Sequence, residues 1–197
     1  LGAWLRWAGL TRGASDLAAP GTVEYYQFHP DEATLVHAAL APVDPFDPPF
    51  TVYGLLPVYV LRAALWTQDL AAADLAVVAE RRQVFVTARV IAALLSTLVL
   101  CMTWVLARWW DEGRGAGLLA LAFVAFAPGA IQQGHFFIVD GFFTAISLVG
   151  IGAILRAVQT GGWRWYLLAG LLVGALGAVR FNGLGLGLVL LVGHLAR

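Results

Sequence analysis

Apolar residues run almost unbroken through residues 84–107, 115–131, 136–155, 163–179 and 183–195. A helix needs about 20 such residues to cross a hydrocarbon core about 30 Å thick. Read by this pattern, residues 84–197 predict about five membrane-spanning helices. Residues 11–50 differ, being polar to mixed with Gly, Pro and Asp, and they open an outer segment that runs to residue 83. Within them Pro30, Asp31 and Glu32 precede Ala33-Thr34-Leu35-Val36. This is a helix start, because a first-position proline has no N–H to leave unpaired and acids suit the positive helix end. A short interfacial helix is expected at 30–40, broken by the prolines that follow. Residues 51–66, apolar and aromatic with Pro57 and Arg62, are too short to span and read as a second surface or re-entrant helix. Residues 69–82 read as an exposed amphipathic helix. Residues 1–10 read as the end of a truncated first span, and the whole chain as a fragment.

The expected fold is therefore all-α: a polytopic membrane helical bundle with interfacial helices in its first outer loop. Composition agrees. The chain is 60% hydrophobic with zero net charge and a mean hydropathy of +0.80. A soluble domain of this size could not hide so much apolar surface. The zero charge gives no footprint for nucleic acid. The lone Cys101 cannot form an internal disulfide and reads as a buried, inert thiol. Trp104, Trp109, Trp110, Trp163 and Trp165 lie near the ends of runs, as interfacial aromatics do.

Arginine placement orients the bundle. If the spans alternate, Arg108, Arg114, Arg156, Arg164 and Arg197 share one side, which is then cytoplasmic. The other side has Arg180 in a short loop and Arg89 just inside a span. Arg81 and Arg82 oppose this mildly, but they belong to a long translocated segment where the rule is weak. The segment up to Arg82, the loop 132–135 and Arg180-Phe181-Asn182 then face outside. Asp31, Glu32, Arg89, His135, Asp140 and Arg180 consequently converge on one outer rim. Ionisable groups at a membrane are costly and need a partner or a task.

The motif Phe28-His29-Pro30-Asp31-Glu32 resembles the first-loop motif of GT-C glycosyltransferases, in the branch of the protein O-mannosyltransferases and aminoarabinose transferases. The resemblance extends through Ala88-Arg89-Val90, Pro128, Gln132-Gln133-Gly134-His135-Phe136, Val139-Asp140 and Ala178-Val179-Arg180-Phe181-Asn182, roughly residues 24–185. Arg180 stands where the family often has Lys, and Gly141 after Asp140 is a second departure. The resemblance implies an integral, multi-pass enzyme of a prokaryotic plasma membrane with its site facing outside. Its donor would be a polyprenyl-phosphate sugar, and its acceptor a hydroxyl of a protein, lipid or glycan. The attacking hydroxyl must lose a proton, so a carboxylate base is needed: Asp31 first, Glu32 second. The departing lipid phosphate suits a guanidinium, from Arg89 or Arg180. Asp140 would orient the acceptor, pair with an arginine, or share a divalent cation (Mg or Mn) with Asp31, although the protein-mannosylating branch does not need one. His29, His135 and Asn182 are candidate substrate contacts.

Plainer readings stand beside these. Asp31 and Glu32 also fit a charge pair at a helix end, and Asp140 a structural ion pair with Arg89 or Arg180. Arg89 fits a side chain that snorkels to the interface, and Arg180 an interfacial anchor. His29, His135 and Asp31 could together ligate zinc, though no fixed metal spacing is present. Trp109-Trp110-Asp111 matches an oligosaccharyltransferase motif but falls on the cytoplasmic side. Asn182-Gly183-Leu184-Gly185-Leu186-Gly187 lacks the strand of a phosphate loop and suits close helix packing. A transporter or lipid flippase, and a non-catalytic membrane scaffold, are the alternatives in other classes. A transporter would hold its acids near the bilayer midplane.

Overall fold

A computed structural model describes residues 1–11, 29–41, 53–110 and 114–197. Among these residues every regular element is helical: α1 (Gly2–Trp7), α2 (Pro30–Leu40), α3 (Leu56–Trp66), α4 (Val78–Trp110), α5 (Arg114–Phe126), α6 (Pro128–Gln133), α7 (Val139–Thr160), α8 (Trp163–Gly177), a 3₁₀ turn (Phe181–Gly185) and α9 (Leu186–Leu195).

The helix expected at 30–40 is present as α2. Its N-cap is His29, whose Nδ1 accepts the Asp31 backbone N–H at 3.2 Å, with Pro30 at the first helical position. The helix expected at 69–82 is not. Residues 67–77 form turns, and helix begins only at Val78. A turn held by Asp74 explains the shift. The Asp74 carboxylate accepts from the Ala76 N–H at 2.8 Å, and Glu80 reaches back to the Asp74 N–H at 2.7 Å. From there α4 runs on without a break.

Among the described residues two helices, α4 and α7, are long and apolar enough to cross a membrane. Only 17% and 39% of their most apolar stretches are buried, which distinguishes them from core helices of a soluble protein. The other apolar runs are divided or shorter than expected. Pro128 offers no N–H to the carbonyl of Val124, so α5 stops at Phe126 and α6 starts afresh. At 13, 15 and 10 residues, α5, α8 and α9 reach roughly 15–22 Å. Five expected spans thus become two helices of spanning length and three shorter apolar ones. The run at 136–155 also shifts. Ile138 is extended, α7 begins at Val139, and Gly161 closes it with φ of 68°, a left-handed cap that glycine adopts without strain.

The helices run alternately up and down. Arg156 near the end of α7 stacks over Trp109 near the end of α4, so these two are parallel. A pairing of residue 140 with 180 at one end, and of Gly150 with Leu172 further along, makes α8 antiparallel to α7. Leu186 beside Gly150 and Gly193 beside Val158 make α9 parallel to α7.

The densest packing lies at one end, where α2 and α3 cover the starts of α4 and α7. Leu35, Val36, Leu61, Leu65, Phe85, Phe137 and Val179 are fully buried there. Each such side chain contributes about 1.5–3 kcal/mol by leaving water. The start of α3 is clamped to the end of α8: the N–H groups of Gly54 and Leu56 donate to the carbonyls of Val179 and Ala178 at 2.9 and 3.1 Å. Gly54 has to be glycine, since a Cβ there would lie on the Ala178 carbonyl. Along the bundle the outward faces are apolar and exposed, for example Leu119 and Phe123 on α5, Leu171 on α8 and Val192 on α9. Cys101 shares such a face on α4; it is exposed, not buried as expected.

Candidate functional site

Adjacent residues on a helix point about 100° apart, so Asp31 and Glu32 cannot both face the core. The buried face of α2 carries Leu35, Val36, Ala38 and Ala39. Glu32 precedes Leu35 and Val36 by three and four positions, which puts it on that face. It is fully buried and meets Arg89, itself 2% exposed. The pair is bidentate: Arg89 Nε–H donates to Glu32 Oε1 at 2.9 Å and Nη2–H to Oε2 at 2.8 Å. Glu32 Oε1 also accepts the Phe137 N–H at 3.3 Å, and Arg89 Nη1–H donates to the Leu10 carbonyl at 3.4 Å. One buried ion pair therefore joins α2, α4, the lead-in to α7 and the segment after α1. Neither member lies open to a substrate.

Asp31 is left on the flank of α2, half-buried. It makes no ion pair among the described residues. The His29 ring beside it packs against Phe136 with centroids 5.5 Å apart. Asp140 occupies the first turn of α7, three residues past Phe137, and pairs with Arg180 Nη1 at 2.7 Å. This second pair is partly open, at 39% and 29% side-chain exposure for Asp140 and Arg180. The Arg180 guanidinium lies 5.0 Å from the Tyr53 ring centre, and its Nε is buried without a hydrogen-bond partner among the described residues. The clamp at Gly54 is what brings Tyr53 there.

Glu32, Arg89, Asp140 and Arg180 thus gather at one end of the bundle, with Asp31 beside them. His135 is engaged elsewhere. Its Nδ1 faces the Ile131 carbonyl at 2.8 Å and its Nε2 the Ala8 carbonyl at 2.9 Å, tying the loop after α6 to α1. Asn182 is exposed in the 3₁₀ turn beside Phe181. Phe28 and Asp111 lie outside the described residues. Trp109 serves as a platform for Arg156.

Arg6 escaped the sequence reading. It is fully buried and donates to Ser96 Oγ at 2.7 Å and to the carbonyls of Gly2, Ala125 and Val124 at 2.8, 3.1 and 2.8 Å. It caps the C-terminus of α5, including the carbonyl that Pro128 leaves without a donor. The available signal was an arginine inside an otherwise apolar decapeptide.

No three His, Cys, Asp or Glu side chains converge among the described residues. Of the carboxylates described at this end, Glu32 and Asp140 already face guanidinium groups. That donor set does not fit a divalent cation shared by Asp31 and Asp140, nor a zinc site of His29, His135 and Asp31, since both His135 nitrogens face carbonyls. What the arrangement offers is one carboxylate, Asp31, with no ion pair among the described residues, at the same end of the bundle as a partly open arginine. No family model, curated protein or solved structure matches the chain.

Proposed function

We propose that the chain is part of a multi-pass membrane glycosyltransferase of GT-C type. It moves a sugar from a polyprenyl-phosphate donor to an acceptor hydroxyl on the extracytoplasmic face. The observation that supports this most is the division of roles among three carboxylates at one end of the bundle. Glu32 is buried and bound by Arg89, Asp140 is bound by Arg180, and Asp31 stands half-exposed with no ion pair among the described residues.

In this reading Asp31 is the general base. It takes the proton of the acceptor hydroxyl as that oxygen bonds to the anomeric carbon and the bond from that carbon to the phosphate oxygen breaks. The lipid phosphate leaves with the electron pair, and Arg180 meets its charge. Asp140 and the Tyr53 ring hold the Arg180 guanidinium in place. Glu32 and Arg89 become a strut that positions Asp31, rather than a second base and a donor contact. Glu32 and Asp140 lie in the first turns of α2 and α7, at one end of the bundle, whereas a transporter would hold coupling acids near the midplane.

The test is sugar transfer from a synthetic polyprenyl-phosphate donor by the full-length protein in liposomes. Asp31→Asn keeps shape but loses the base, and turnover should fall about 10²–10⁴-fold with donor binding retained. Arg180→Ala should weaken donor binding as well as turnover, because the phosphate is charged before and after transfer. Near-normal transfer by Asp31→Asn would remove Asp31 from the chemistry. If Glu32→Gln alone then abolished transfer in a folded protein, Glu32 would be the base.

A further inference from the structure

We infer that the arginine-bearing end of the bundle, opposite the candidate site, is a docking surface for anionic phospholipid headgroups. The first observation is a division of charge that the zero net charge hides. Residues 108–114, 156–164 and 197 hold five arginines against two acids, a net charge of +3. The remainder holds seven arginines against ten acids, a net charge of −3.

The fold brings the basic set together. Arg156 lies 4.2 Å from the Trp109 ring centre, Arg108 5.6 Å from Trp104 and Arg164 5.7 Å from Trp163. The Arg197 guanidinium rests against Gly161, where α7 ends. None of these four arginines makes an ion pair among the described residues. A ring covers one face of a guanidinium but leaves its charge uncompensated and its N–H edges outward. Those edges fit the oxygens of a phosphodiester.

What identifies the occupant as a lipid is the surface next to the charges. The outward face of α9 that leads to Arg197 is apolar and exposed through Leu188, Leu191, Val192 and Leu195. A ligand covering both regions needs a phosphate head and a hydrocarbon tail. Trp163, 68% exposed, marks the headgroup level that separates them. Nucleic acid or an acidic protein would match the arginines but not the apolar strip. The inference rests on the spanning character of α4 and α7 and not on the glycosyltransferase reading.

The test places the full-length protein in liposomes of brominated phosphatidylglycerol or brominated phosphatidylcholine and measures quenching of tryptophan fluorescence. The wild type should prefer the anionic lipid by about fivefold, roughly the attraction of one arginine near a charged leaflet. The quadruple variant Arg108→Gln, Arg156→Gln, Arg164→Gln, Arg197→Gln should lose that preference. Lys at the same four positions should keep most of it, and Arg82→Gln at the opposite end should leave it unchanged. A wild type without preference would overturn the inference, as would a preference that survives the quadruple Gln variant. Should that variant fail to fold, the salt response of the wild type decides. Preference should fall several-fold between 0.1 and 0.5 M salt if headgroup charge is the attraction. An indifferent preference overturns the proposal. Loss of sugar transfer with lipid preference intact would sink the enzymatic reading and leave this one standing.

Discussion

Glu32 and Asp31 are chemically near-identical neighbours with opposite fates, and the difference is one step of helical rotation. Glu32 is sealed under α2 with Arg89, where removing one partner leaves the other charge buried and uncompensated. We therefore expect Glu32→Gln to destabilise the protein by about 3–5 kcal/mol. Replacing both members with apolar residues, Glu32→Leu with Arg89→Met, should be markedly less harmful than that. Thermal unfolding in detergent checks both, and a single variant as stable as wild type would show that the pair carries no strain-bearing load. The half-exposed Asp31 should behave differently: Asp31→Asn is expected to leave the stability within about 0.5 kcal/mol of wild type. That contrast separates a structural acid from one free to do chemistry.

Among the elements, α3 and α5 each depend on a contact far along the chain. The start of α3 is held to the end of α8 by two backbone hydrogen bonds that only glycine at 54 permits. Gly54→Ala should push the two backbones apart at a cost of about 1–3 kcal/mol. Hydrogen exchange at the Gly54-position and Leu56 amides should quicken, while amides in the middle of α7 stay protected. Unchanged exchange would mean the clamp does not form. The end of α5 is capped by Arg6, which supplies N–H donors to two of its last carbonyls. Arg6→Met should cost about 1–3 kcal/mol, the penalty for leaving buried acceptors unpaired. Lys at position 6 should rescue it only in part, because an ammonium lacks the planar fork that reaches Ser96 and both carbonyls at once.

For the whole molecule the decisive feature is that the two ends differ. One carries the Glu32–Arg89 and Asp140–Arg180 pairs and Asp31, and the other carries arginines stacked on tryptophans. If the basic end is cytoplasmic, as arginine bias in short loops implies, the candidate site faces outside. Phe181, 84% exposed, reports on one end, and the exposed Gln159 on the other. With Cys101 replaced by Ser, a cysteine at 181 should react with a membrane-impermeant maleimide on intact cells. A cysteine at 159 should react only after permeabilisation. The reverse labelling would invert the bundle and move the candidate site to the cytoplasm.

The hydrophobic pattern by itself determined that the chain is helical, where α2 begins, and that its apolar faces need a non-aqueous surrounding. Those properties are local: they follow from a proline with two acids after it, and from runs of apolar residues near the thickness of a bilayer. Residue order could not determine where those runs break. Pro128 was visible as a breaker, but whether its orphaned carbonyl would find a donor depended on Arg6, 118 residues from Val124. The start of α4 at Val78, in place of a helix at 69–82, came from a turn at Asp74 tied back to Glu80, which periodicity does not record. The gathering of polar groups at one end was legible from alternating topology, but their pairing was not. Arg89 could have met Asp140 or a substrate as readily as Glu32. Only the packing of α2 against α4 and the lead-in to α7 selected its partner, because a buried charge is tolerated just where an opposite charge and a hydrogen-bonding backbone lie within reach.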